Sequence, residues 1–210
     1  MHKQIYEEIK AQKNRSVLII LTGPTGAGKD TVLNHLLHRH PTITKIITTT
    51  SRPMREIESE GNPYHFITRE EFEKMIGLHA FYEWVEFRSD LYGTQKKTIE
   101  NALKSGHDVV WKIEAKGVKN IKQKIKENYP RSVLLFLTAP SIHMMYERIE
   151  KDSGNNLHHR WNEPLVKWEM EQYDDSEYLV VNEDGKLDET VKKIEAIIES
   201  KRQEIIEIQT

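Results

Sequence analysis

The heptapeptide Gly23-Pro24-Thr25-Gly26-Ala27-Gly28-Lys29 joins a run of strand formers at residues 17–22 to a helical pattern over residues 29–40. Glycines at this spacing let successive backbone N–H groups wrap an anion, and the helix N-terminus adds partial positive charge. The Lys29 ammonium can then reach the terminal phosphates. This is the chemistry of a nucleoside triphosphate cradle; a turn that merely joins strand to helix needs neither the spacing nor the lysine. The position after Lys29 is unusual. Where a serine or threonine normally offers a hydroxyl to Mg²⁺ arriving with ATP, this chain has Asp30, followed by Thr31. The triphosphate-binding set is therefore Gly23, Pro24, Thr25, Gly26, Ala27, Gly28, Lys29, Asp30 and Thr31, with Asp30 the expected Mg²⁺ ligand.

A second constellation lies in residues 50–66, where Arg52 and Arg55 stand three apart beside Thr50 and Ser51 and ahead of Glu58, Gly61 and Tyr64. Two guanidinium forks and a phenol can hold one phosphate, and a nearby carboxylate can orient the arginines. Glu56, Glu58 and Glu60 are the adjacent candidates for that acid. Further on, Phe81-Tyr82-Glu83-Trp84 precedes Leu91-Tyr92-Gly93-Thr94, and Trp111-Lys112-Ile113-Glu114 closes a strand pattern. Taken with the glycine loop, these motifs and their order resemble the signature of guanylate kinases. The resemblance runs over about residues 16–200, in good register through Gly117 and in poorer register over residues 141–173.

The resemblance implies an α/β fold: a P-loop NTPase core with a five-stranded parallel sheet flanked by helices, an inserted mixed α/β GMP-binding lobe and a helical lid. It implies one domain, with the core at about 15–47, 106–140 and 174–205, the lobe at about 48–98 and the lid at about 141–173. Arg52, Arg55, Tyr64 and Tyr92 fall where the family grips the GMP phosphate, Glu58 where it orients the arginines, and Thr48, Glu83, Thr94 and Glu114 where it reads guanine. A carboxylate suits that edge because it accepts from both N1–H and the exocyclic amine, a pair adenine does not offer. Lys29, Arg52, Arg148 and Arg160 are the implied catalytic cations, acting with Mg²⁺ on phosphoryl transfer from ATP to GMP.

Two departures stand against the family pattern. Lys112 replaces the first acid of the Asp-Ile-Asp element, and Lys151-Asp152-Ser153-Gly154-Asn155 replaces the usual arginine-containing turn of the lid. Lys112 is expected to partner Asp30, each departure compensating the other. Asp30 after Gly-Lys and the turn Asn182-Glu183-Asp184-Gly185 also resemble ribose 1,5-bisphosphate kinases of the same fold. A sugar phosphate, however, has no use for Glu83. A catalytically inactive phosphopeptide-binding module of this fold is the other alternative, disfavoured by the intact Gly28-Lys29.

Five apolar runs rich in β-branched residues, at 17–21, 45–49, 109–113, 133–137 and 178–181, read as buried parallel strands. Helical patterns at 29–40, 94–105, 115–128 and 141–151 alternate with them, and a last helix carries Leu187, Val191, Ile194 and Ile198 on one face. Thr68-Arg69-Glu70-Glu71 is a capping box opening a short helix, and residues 152–175 read as a mobile flap in which Pro164 limits helix continuity. Trp161 and Trp168 are packing residues of that flap, and residues 1–13 read as a short polar helix. With 31 basic against 33 acidic residues and no long block of either sign, no nucleic-acid partner is expected. The chain has no cysteine, and no 18 apolar residues run together, so a cytoplasmic protein without a membrane partner, monomeric or homodimeric, is expected.

Overall fold

The computed structural model describes residues 16–56, 58–87, 89–153 and 161–207. The core is a five-stranded parallel sheet in the order β2-β7-β1-β8-β9, formed by Thr44–Lys45, Val109–Lys112, Leu18–Thr22, Ser132–Thr138 and Tyr178–Val181. Alternation along β1 explains the layers. Ile19 and Leu21 point to one face, where helices α1 (Lys29–Arg39) and α7 (Leu187–Glu207) bring Val32, Leu33, Leu36, Val191, Ile194 and Ile198. Leu18 and Ile20 point to the other, toward Ile99 of α3 (Lys96–Lys104) and Val118, Ile121 and Ile125 of α4 (Ala115–Asn128). Strands covered on both faces require near-continuous apolar sequence, and β1 and β8 have it: every residue of both is buried.

The strand expected at residues 45–49 is two strands. Lys45 ends β2 at the edge of the core sheet, and Thr48 opens β3 (Thr48–Thr50) in a separate sheet of order β4-β3-β6-β5. Strand propensity runs across the junction, whereas the partners change: Lys45 pairs with Val110, and Thr48 pairs with Tyr64 of β4 (Tyr64–Phe66). In the second sheet β3 and β4 are parallel, while β6 (Asp90–Gln95) runs antiparallel to both β3 and β5 (Phe81–Phe87). Helix α2 (Arg69–Gly77) covers it through Phe72, stacked on Phe81 at 4.3 Å. Its capping box is formed as expected, Thr68 accepting from the Glu71 N–H and Glu71 from the Thr68 N–H. The helix expected over 94–105 begins later, at Lys96, because Thr94 and Gln95 remain in β6.

Residues 142–153 form α5, and the described part of the expected flap contains α6 (Glu163–Glu171) and a 3-10 turn at Gln172–Asp175. Pro164 lies in the first turn of α6 and limits helix continuity on its N-terminal side as expected, its missing N–H falling where no helical partner exists. Trp161 packs edge-on against Tyr146 of α5 at 5.2 Å. The expected helix at 1–13, the segment 154–160 and the candidate Arg160 lie outside the described residues. Among the described residues no helix is long and apolar enough to cross a membrane.

Candidate active site

The carboxyl ends of β1, β7 and β9 open on a cleft of about 490 Å³ lined by the glycine loop, Lys29, Asp30, Thr31, Lys112 and Arg148. Ligands of open parallel sheets bind at this end. Gly28, at the head of α1, has φ 87°, a left-handed conformation costly for any side chain, and a Cβ there would come within 2.4 Å of Asn182 Nδ2. The loop is held from beneath. Asn182 Nδ2 donates to the Ala27 carbonyl at 3.0 Å, and the Arg148 guanidinium donates to the carbonyls of Asn182 at 2.7 Å and Gly26 at 3.3 Å. Asp184 fixes the same guanidinium at 2.6 Å. The turn at 182–185 is therefore a clamp on the glycine loop, and Arg148, while lining the cleft, is braced against that loop.

Sequence reasoning missed Asn182 as a clamp and missed Glu169 altogether. Glu169 of α6 is 1 % exposed, and its carboxylate accepts from the Thr25 N–H at 3.2 Å. No local motif marks a lone glutamate 144 residues away; only its lack of exposure on an otherwise half-open helix distinguishes it. Lys29 Nζ donates to the Gly23 and Pro24 carbonyls at 2.6 and 3.0 Å, holding the ammonium at the loop.

Lys112 and Asp30, the paired departures, meet: Lys112 Nζ lies 2.6 Å from Asp30 Oδ1. Burial at the loop works against the Asp30 charge, yet Lys112, with Lys29 and Lys45 beyond it, outweighs that cost and holds the carboxyl below its ordinary range. Asp30 therefore does not face the cleft as an unscreened anion. Burial likewise opposes the Lys112 charge, and the surrounding Tyr64 and Asp30 reverse it, so the ammonium stays protonated. Among the described residues no three His, Asp or Glu side chains gather as a metal site. Asp30 is one carboxylate, suited to a Mg²⁺ that draws its other ligands from phosphates and water.

A smaller cavity, lined by Thr48, Tyr64, Glu83, Tyr92, Lys112 and Glu114, lies between the two sheets. Register explains its walls. β5 and β6 pair Glu83 with Thr94, and β3 and β4 pair Thr48 with Tyr64. Glu83 is 7 % exposed and accepts from Thr94 Oγ1 at 2.7 Å; that hydroxyl in turn accepts from Trp111 Nε1 at 2.9 Å. A Cβ on Gly117, in the first turn of α4, would sit 3.0 Å from Glu83 Oε2, so glycine there lets the helix approach. Burial pushes the Glu83 carboxyl up to about 7; the Thr94 hydrogen bond opposes this and the Glu114 charge adds to it.

Arg52 packs over Tyr64 of the cavity lining, its guanidinium carbon 5.7 Å from the ring centroid, and donates to both Glu58 oxygens at 2.8 and 3.0 Å. Glu58 also accepts from the Arg55 N–H at 2.8 Å. Glu60 is engaged elsewhere, with His65 and the Phe66 N–H. Of the three adjacent acids, Glu58 is the one that touches both arginine segments. The Arg55 side chain is exposed, and Tyr64 and Tyr92 stand 5.8 Å apart, edge to face.

The family model for guanylate kinase matches residues 15–201. The chain is 33% identical over 190 residues to the guanylate kinase of Carboxydothermus hydrogenoformans, covering 90% of each chain. It is 34% identical over 190 residues to that of Desulfitobacterium hafniense, covering 89% of this chain and 91% of the relative. Its fold is similar to the crystal structure of guanylate kinase from Anaplasma phagocytophilum, with a TM-score of 0.70 and 26% identity over 89% of this chain and 86% of that one. A match from residue 15 to 201 takes in the glycine loop, the Arg52–Glu58 pair, the Glu83–Thr94 pair and the 182–185 clamp together, and the chain belongs to the guanylate kinase family.

Proposed function

We propose that this protein transfers the γ-phosphoryl group of ATP to GMP, yielding ADP and GDP. The observation that carries the reading is Glu83: a carboxylate 7 % exposed, held by Thr94, in a cavity that shares Tyr64, Lys112 and Glu114 with the glycine-loop cleft. A buried acceptor pair selects a base with two adjacent donors and rejects one without them by about 10⁴ to 10⁵. The core at about 15–47, 106–140 and 174–205 carries ATP, the lobe at about 48–98 carries GMP, and the lid at about 141–173 closes over both. Thr48, Thr94 and Glu114 line the base alongside Glu83. Arg52, Arg55, Tyr64 and Tyr92 take the GMP phosphate, with Glu58 orienting the arginines.

In the reaction, an oxygen of the GMP phosphate attacks the γ-phosphorus. The bond to the β,γ-bridging oxygen breaks, and its electron pair stays on ADP. The nucleophile is already anionic, so no base is required, and catalysis consists of positioning and charge stabilisation. Lys29 turns from the loop carbonyls to the β- and γ-phosphates, Arg52 aligns the acceptor, and Arg148 keeps the loop in shape, with Arg160 a further cation of the lid. Mg²⁺ arriving with ATP would neutralise β,γ-phosphate charge, with Asp30 the carboxylate that could reach it. A coupled ADP-release assay with GMP, dGMP, AMP and ribose 1,5-bisphosphate side by side tests the reading. Turnover with GMP far above AMP and the sugar phosphate is expected; preference for the sugar bisphosphate would overturn it.

A further inference from the structure

Lys112 ends a strand whose preceding residues, Val109, Val110 and Trp111, are all fully buried, and its own side chain is only 10 % exposed. An ammonium in that place carries a desolvation cost that an aliphatic residue would avoid. Its partners come from opposite sides: Asp30 of α1 at 2.6 Å, and Tyr64 of β4, whose hydroxyl interacts with it and whose ring centroid lies 5.4 Å away. A structural ion pair does not account for it, because Asp30 is 64 % exposed and a pair with one partner open to solvent contributes little to stability. Lys112 lines both the triphosphate cleft and the cavity holding Glu83, and the residues it shares them with, Tyr64 and Glu114, bring no positive charge.

We propose that Lys112 is a catalytic residue, a built-in cation standing between the donor and acceptor phosphates. The inference rests on the assignment of GMP phosphorylation made above. Two phosphate anions must approach within bonding distance, and a positive charge fixed between them is worth more in a water-poor site than in bulk solvent. As the phosphates enter, the ammonium leaves Asp30 for an oxygen of the γ-phosphoryl group. No proton is transferred: Lys112 is protonated before and after, and screens the oxygens while the γ-phosphorus passes between them. The released Asp30 carboxylate is then free to face the cation that accompanies ATP. One lysine thus couples occupancy of the ATP side to that of the GMP side.

The test compares wild type with Lys112→Met and Lys112→Arg in three measurements: steady-state GMP phosphorylation with Mg²⁺, titration of ATP in EDTA, and titration of guanosine. For Lys112→Met the expected result is a fall in kcat of at least about a hundredfold. Metal-free ATP should bind at least about tenfold more weakly, the loss of one charge-assisted contact. Guanosine, which has no phosphate, should bind about as before, and Lys112→Arg should recover part of both losses. A merely structural lysine would shift the melting temperature while leaving kcat and metal-free ATP affinity at wild-type values, and that result overturns the proposal. If the wild type phosphorylates GMP and Lys112→Met does so equally well, the catalytic lysine fails and the function stands. If the wild type does not phosphorylate GMP, the function fails, and the EDTA titration still decides whether Lys112 meets the phosphates.

Discussion

Glu83→Gln should separate stability from recognition. The folded chain raises the Glu83 carboxyl from its ordinary value of 4.5 to about 7, chiefly by burial. Between those values the folded state keeps a proton that the unfolded chain releases, so stability falls as pH rises through the window and the full penalty is present above about pH 7. The interval is worth about 3 kcal/mol. Glutamine resembles the protonated acid and carries no such penalty, so at pH 8 the variant should be more stable by up to about 3 kcal/mol, or about 6 to 12 °C in Tm for a chain of this size. Near pH 4 the Glu83 carboxyl is mostly protonated whether folded or unfolded, and the difference should shrink to a small fraction of its value at pH 8. The charged and titratable groups facing Glu83 are Glu114, Lys112, Tyr64 and Tyr92, none of which the substitution changes. Thermal melts at pH 4, 6 and 8 read the stability arm. In the functional arm, the new amide NH₂ meets a donor edge of guanine, costing about 3 kcal/mol, so kcat/KM for GMP should fall more than a hundredfold while that for AMP changes little. Guanosine should also bind wild type more weakly as pH drops below about 7, since only the ionised carboxylate offers both acceptors. A Gln variant less stable than wild type at pH 8, together with an unchanged GMP-to-AMP ratio, would refute the reasoning.

Lys29→Ala should lower kcat at least about a hundredfold with little change in GMP affinity, because the ammonium stands at the glycine loop on the ATP side and not at the cavity assigned to GMP; equal loss of GMP binding in calorimetry would contradict this. Arg52→Ala should weaken GMP by about tenfold or more and leave guanosine nearly unaffected, and Glu58→Gln, which loosens the Arg52 fork, should show a smaller change of the same kind. Asn182→Ala removes the hydrogen bond to Ala27 beneath the loop, so the KM for ATP should rise severalfold while guanosine binding stays constant; a change in guanosine affinity instead would place the clamp outside the ATP side.

The phosphate loop was legible in the sequence because its chemistry is local: seven consecutive residues supply the turn, the N–H groups and the lysine. The alternating and continuous apolar runs likewise located the core strands, with one instructive failure at residues 45–49. Propensity there is uniform, but the chain changes sheets between Lys45 and Thr48, an event decided by long-range pairing with Val110 and Tyr64. Thr94 shows the same limit from the other side: a helical pattern over 94–105 hides a threonine that stays in β6 because it faces Glu83 and Trp111. Asp30 and Lys112 could be linked before the structure because each broke the family pattern in a complementary sense, and they lie 2.6 Å apart. Glu169 gave no comparable signal, and Asn182 stood out only as part of the 182–185 turn, with nothing to mark it as a clamp. Their roles come from where the tertiary fold sets them, one accepting from Thr25 and one donating to Ala27 of the loop.

The most direct test of the central claim, that this cleft moves the γ-phosphoryl group of ATP onto GMP, is phosphorus NMR of the protein mixed with ATP, Mg²⁺ and GMP. ADP and GDP resonances should grow in equal amounts while inorganic phosphate stays at background, and AMP in place of GMP should give almost no transfer. Growth of inorganic phosphate without GDP, or transfer that proceeds equally well to AMP, would contradict it.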